Sequence, residues 1–156
     1  MIIETYIGID PGEHNGVAVY DKKNGLRLYT LSFWQLIELI DTMNVKDKKL
    51  QEIKPVFHIE NPGLNSFIYR QKVDHKQKSS AMRIAKNVGQ NVNDAKRIIE
   101  RVKQHGMICC EIKPISSSAK WDAALFNALL RGRFEITHHN QHVRDAAKLI
   151  SQHWTK

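Results

Sequence analysis

The chain has 156 residues, a formal net charge of +8 at neutral pH, and 42% apolar residues. One domain with one hydrophobic core is what that length supports, and no uninterrupted apolar run approaches the roughly 20 residues of a membrane-spanning helix. A small chain this basic most often meets a polyanion, nucleic acid first among them; charge kept only for solubility is the bland alternative.

The apolar run from Ile2 to Ile9 predicts a strand over Thr5 to Asp10, ending on the carboxylate of Asp10. Pro11 and Gly12 turn the backbone, and Gly16 to Asp21 predicts a second strand returning alongside. Lys22-Lys23-Asn24-Gly25 reads as a turn into a third strand, Leu26 to Leu31. Ser32 can cap a helix through about Met43, because Phe33, Leu36, Ile37 and Ile40 recur at helical spacing. The lysine-rich stretch Val45 to Lys54 reads as loop or frayed helix. Pro55 to Glu60 is a fourth strand, again ending on an acid, and Asn61-Pro62-Gly63 stops it.

Leu64 to Lys78 is a polar connection carrying Phe67, Tyr69, Arg70, Lys72, His75, Lys76 and Lys78. Ser79 or Ser80 opens a helix to about His105, whose apolar face includes Val88, Val92, Ala95, Ile98, Ile99 and Val102; Gly106 ends it. Met107 to Ile112 predicts a fifth strand. Ser116-Ser117-Ser118 leads into an expected helix from Ala119 to Leu130. A last helix is expected from about Gln141 to His153, through Val143, Ala146, Ala147, Leu149 and Ile150. Positive charge gathers in Lys46 to Lys54 and Arg70 to Lys86, which favours a binding face over scatter. The only cysteines, Cys109 and Cys110, are strand neighbours pointing to opposite faces, which argues against a mutual disulfide. No basic segment precedes an apolar stretch at the start, so no signal peptide is expected and the cytosol is the expected compartment.

A lone acid at the tip of a buried strand is costly unless a cation meets it. In a mixed sheet the first and fourth strands can lie side by side and parallel, which brings Asp10 and Glu60 together. A terminal helix packed through Ala146, Ala147 and Ile150 can point Asp145 at the same place. Clustered carboxylates raise one another's pKa unless a counter-charge is present. Mg²⁺ or Mn²⁺, hard cations that prefer oxygen ligands, would supply it. Two such ions about 3.5–4 Å apart would activate a water and stabilise the leaving oxygen of a phosphodiester. The alternative for Asp10 is a solvated turn residue beside Pro-Gly.

Gly8-Ile9-Asp10-Pro11-Gly12 with Gly16 resembles the opening motif of the RuvC-type Holliday-junction resolvases, within the RNase H-like superfamily. Ile59-Glu60 is similar to that family's second acidic strand, and Asn87-Val88-Gly89-Gln90 to the helix signature after it. Ile112-Lys113-Pro114 followed by Ala119-Lys120 resembles the segment carrying a basic residue near the active site. Asp145-Ala146-Ala147 resembles the terminal Asp-Ala motif. The likeness runs in order along nearly the whole chain. It implies a single α/β domain over residues 1–156, an RNase H-like mixed five-stranded sheet flanked by helices.

The resemblance also implies an Mg²⁺- or Mn²⁺-dependent endonuclease that cuts branched DNA as a homodimer, with no nucleotide cofactor and no membrane partner. Asp10, Glu60 and Asp145 are then the metal-binding catalytic acids. The family's additional acid, three residues before the last, is His142 here; it lies on the helical face of Asp145 and can ligate metal or handle a proton, or be a surface residue of a His-rich turn. Lys120 is the candidate for stabilising charge on the scissile phosphate, or simply an exposed lysine, and Lys113 is a weaker DNA-contacting candidate. Phe67 and Tyr69 can stack on bases at a branch point, amid Arg70, Lys72, Lys76 and Lys78 as phosphate contacts; packing under their own loop is the alternative. Asn15 and Asn61 are explained as well by turn formation as by a role near the acids. The long helix from Ser80 to His105 is the expected dimer interface. A flap or RNA–DNA hybrid nuclease of the same fold, and a catalytically silent DNA-binding module, remain open as alternatives, whereas an actin- or sugar-kinase-like ATPase would need a second domain for which there is no room.

Overall fold

The computed structural model describes residues 3–43, 53–64 and 78–156. Strand β1 (Ile3–Asp10) pairs antiparallel with β2 (Asn15–Asp21), and β2 with β3 (Gly25–Leu31), as a meander. Helix α1 (Phe33–Met43) follows, and β4 (Ile53–Glu60) returns parallel beside β1. Helix α2 (Lys78–Gln104) leads to β5 (Ile108–Ile112), parallel to β4. The sheet order is β3-β2-β1-β4-β5, so this α/β sheet is mixed, as the residue pattern anticipated. The chain then crosses to the other face, with α3 (Ala123–Leu130), α4 (Gln141–Leu149) and α5 (Ser151–Trp154). Among the described residues, no helix is long and apolar enough to cross a membrane.

Strand alternation divides the core in two. Ile7, Ile9, Val17, Val19, Phe57 and Ile59 face α1 and α2, where Leu36, Ile40, Ile98, Ile99 and Val102 cover them. Each such fully buried side chain contributes about 1.5–3 kcal/mol before chain entropy is charged against it. On the opposite face Ala18 and Leu26 pack against Phe126, Leu130, Ala146, Ala147, Ile150 and Trp154. The indole N–H of Trp154 donates to the Ala147 carbonyl at 2.9 Å, which satisfies its one buried donor.

The second face owes its closeness to two glycines. A Cβ on Gly8 would run into the backbone carbonyl of Ala146, and one on Gly16 into the backbone of His142 and Val143. At these two positions helix α4 therefore rests directly on the backbones of β1 and β2. Asp21 closes the β2–β3 turn by accepting from the N–H groups of Lys23 and Asn24 and from Arg27, and Gly25 takes a φ of +71° there. On the first face, Arg101 and His105 both bond Asp41 and hold its carboxyl well below the usual range, tying α1 to the end of α2.

Two expected helices differ in extent. The helix expected from Ala119 begins at Ala123, after a 3-10 turn at Ser117–Ala119, and Lys120 between them is extended (φ −67°, ψ 145°). Its cap is Asp122, whose carboxylate accepts from Leu125 N–H at 2.7 Å, so the serines upstream are not needed for capping. Trp121, drawn into ring contacts with Phe126 and Trp154, leaves the helical path. The terminal helix expected as one piece breaks at Ile150 (φ −113°, ψ 16°), although Ile150 itself stays fully buried. The expected loop or frayed helix from Val45 and the polar connection after Leu64 lie largely outside the described residues.

Candidate active site

In the parallel pairing of β1 with β4, Ile9 lies opposite Ile59, which sets the next residues, Asp10 and Glu60, side by side where both strands end. Both acids share the sheet face of Gly8 and His58, the face covered by α4, because side chains two apart point the same way. Helix α4 starts at its Asn140 cap, which accepts from Val143 N–H, and turns Asp145 inward between Val143 and Ala146. Asp145 is 1% exposed and Asp10 8% exposed, so neither is a solvated turn residue.

The hydrogen-bond partners on hand are shared unequally. Lys120 Nζ lies 2.7 Å from Asp145 Oδ2, and the Gln141 amide donates to Asp145 Oδ1 at 2.6 Å. His142 Nδ1 lies 3.0 Å from Asp10 Oδ2, with about half of the imidazole exposed. Among the described residues, Glu60 accepts only a long 3.4 Å bond from Ile115 N–H. Burial, and then the neighbouring Asp10 charge, push the Glu60 carboxyl up to about 7. Burial also raises Asp10, against the lowering effect of His142. Asp145 adds to the raising of both, and Lys120 opposes it in both, so these groups form one electrostatic unit. Lys120 is itself raised: burial opposes its charge, but Asp145, Asp10 and Glu60 favour it.

The expected residues Asp10, Glu60, Asp145, His142 and Lys120 thus come together at one end of the central strand pair. They do not already form an ion cage. Among the described residues no three His, Cys, Asp or Glu side chains are placed to hold a metal ion. Asp145 is taken up by Lys120 and Gln141, and Asp10 by His142. Lys113 is exposed just past β5, and no hydrogen bond or ion pair joins it to the cluster. Lys78 is the first residue of α2; Phe67, Tyr69, Arg70, Lys72 and Lys76 lie outside the described residues.

Both asparagines serve turns. Buried Asn15 accepts from Gly12 N–H and donates to the Leu31 carbonyl. Asn61 accepts from Gly63 N–H and donates to Glu111. Sequence reasoning missed Gln141, Arg144, Lys148 and Trp121. Arg144 Nε donates to the Trp121 carbonyl at 3.2 Å, Gln141 bonds the same carbonyl at 3.4 Å, and Lys148 Nζ donates to the Ala119 carbonyl. Their spacing along α4, three and then four residues, puts all three on one stripe and was the available signal. No family model matches the chain, and no curated protein matches it.

Proposed function

We propose that the chain is a divalent-cation-dependent endonuclease of RNase H-like fold that cuts branched DNA, a four-way junction best of all. One observation carries this reading: buried Asp10 and partly buried Glu60 end adjacent parallel strands with more negative charge than their neighbours neutralise. A purely structural pair would be expected to come with full compensation, because uncompensated buried charge destabilises the fold. The three carboxylates and the charge deficit suit Mg²⁺ or Mn²⁺. Asp10 and Glu60 would hold the ion, with Asp145 and His142 available for a second. Bound there, the ions would activate a water and stabilise the departing oxygen of a phosphodiester.

In that hydrolysis the oxygen of water joins phosphorus, one P–O ester bond breaks, and the departing oxygen takes up a proton. His142, hydrogen-bonded to Asp10 yet half open to solvent, is placed to exchange protons with water. Lys120 is placed to meet negative charge at the same end of the sheet. The net charge of +8 supports a polyanionic substrate. Resolving a junction takes two symmetric cuts, so the reading includes a homodimer.

The test uses labelled four-way junction, duplex, flap and RNA–DNA hybrid, each with and without Mg²⁺ or Mn²⁺. Paired, ion-dependent nicks in the junction are expected. Faster cutting of flap or hybrid would move the substrate to those classes. Binding with no ion-dependent cleavage of anything would leave a DNA-binding module.

A further inference from the structure

Lys120 reaches Asp145 from a segment outside any helix or strand, where its own backbone is held by one long 3.4 Å bond from its N–H to the Ser117 carbonyl. The backbone around it is extended, between the 3-10 turn and α3. What fixes it is the stripe on α4. Gln141 and Arg144 both donate to the Trp121 carbonyl, one residue after Lys120, and Lys148 donates to the Ala119 carbonyl, one residue before. The Lys148 ammonium also sits 5.5 Å from the centre of the Trp121 ring. Arg144 and Gln141 brace each other at 2.8 Å, and Gln141 donates in turn to Asp145. Three side chains of one helix thus strap both flanks of Lys120 to the helix that carries its partner acid.

We infer that Lys120 is a tethered counter-ion of Asp145, held in place by Gln141, Arg144 and Lys148, and that a divalent cation enters the Asp145 side of the cluster only as the Lys120 ammonium leaves it. This rests on the metal-dependent reading above. The geometry supports exchange rather than coexistence. Asp145 Oδ2 is occupied at 2.7 Å and its carboxylate is 1% exposed, so an incoming ion finds that oxygen capped by a positive charge. The Lys120 side chain is 38% exposed, so its ammonium can swing into water, or onto a phosphate, without unfolding anything. Among the described residues, Glu60 has only the long bond from Ile115 N–H, and Asp10 has only the half-exposed imidazole of His142 on one oxygen, which makes theirs the first place an ion settles. The two sides of the cluster therefore fill unequally.

Mn²⁺ titration by calorimetry, with electron paramagnetic resonance to detect paired ions, tests this on the intact chain without DNA. Wild type should show one stronger and one weaker step. Lys120→Gln should tighten the weaker step about tenfold or more, as loss of a competing charged contact would. Lys120→Arg, which keeps the cation, should bind like wild type. Arg144→Met should tighten the weaker step less than Lys120→Gln does, because it loosens the strap and leaves the ammonium. Equal isotherms for wild type and Lys120→Gln would overturn the exchange. Unchanged binding in Arg144→Met would overturn the strap's part in it. Absence of Mn²⁺ uptake by every variant would overturn the metal-dependent reading and this inference with it; intact uptake with equal isotherms would overturn the inference alone.

Discussion

At Glu60, burial and the Asp10 charge outweigh a weak backbone hydrogen bond, and the carboxyl keeps its proton to about pH 7 instead of the ordinary 4.5. Between those values the folded chain binds more protons than the unfolded chain, so stability falls as pH rises through the window. Because Glu60 is partly open to solvent, the loss should be about 1–2 kcal/mol, less than the full shift implies. Chemical denaturation in a chelator from pH 4 to pH 8 should show this slope in wild type and not in Glu60→Gln; parallel profiles would remove Glu60 as its source. Activity gives a separate reading of the same groups. Asp10→Asn, Glu60→Gln and Asp145→Asn should each slow junction cleavage at least about a hundredfold, the scale of losing one electrostatic contact to a transition state, while DNA binding holds or tightens as negative charge facing phosphate is removed. His142→Ala should slow cleavage with either ion, since it strips Asp10 of its hydrogen-bond partner. His142→Asp should retain Mg²⁺-dependent cutting with a shifted pH profile, because oxygen suits Mg²⁺ better than imidazole does. A wild-type rate in His142→Ala would return that residue to the surface.

At the scale of elements, the position of α4 on Gly8 and Gly16 decides whether the acids meet at all. A methyl group at either glycine meets helix backbone, which cannot rotate aside as a side chain can. Gly16→Ala should therefore lift the start of α4, cost about 1–3 kcal/mol as overpacking does, and separate His142 and Asp145 from Asp10. A lower Tm together with lost cleavage is expected, whereas Gly89→Ala, inside α2 with open space around it, should raise Tm slightly, as alanine favours the helix over glycine, and leave cleavage unchanged. The strands were legible in the sequence because apolar residues alternate and end on Asp10 and Glu60. The long helix was legible because Ala95, Ile98, Ile99 and Val102 repeat with its turn. The start of α3 was not, since three serines offer caps that the chain does not use and the one it uses, Asp122, follows a tryptophan held by its own ring contacts. The break at Ile150 was hidden for a related reason: an inward apolar side chain keeps the helical pattern intact while the backbone departs from it. The partner of Lys120 was equally hidden, because a contact between residues 25 apart depends on how α4 and the preceding segment pack, which spacing does not record.

For the molecule as a whole, charge and shape make separable demands on DNA binding. An excess of basic over acidic residues, 24 against 16, favours any phosphate backbone and says nothing about branching. Affinity should fall steeply with salt as bound counterions are released on complex formation. The preference for junction over duplex should outlast that fall, because it stems from geometry common to all salt concentrations. Replacing Arg70, Lys72, Lys76 and Lys78 together with Ala should weaken binding to every DNA alike. If all four touch phosphate, the slope of log affinity against log salt should flatten by about 3.6, at about 0.9 per contact on duplex. Phe67→Ala or Tyr69→Ala should leave that slope unchanged and reduce junction cleavage more than binding, since stacking at an opened branch point acts on the reacting geometry. Salt titrations of duplex and junction, with cleavage measured at saturating protein, separate the two effects. Equal losses on duplex and junction from the aromatic changes would assign those rings to folding or general binding, and an unchanged salt slope in the quadruple variant would move the phosphate-binding face elsewhere, to the exposed Lys113 and the basic stripe of α4 beside the acids.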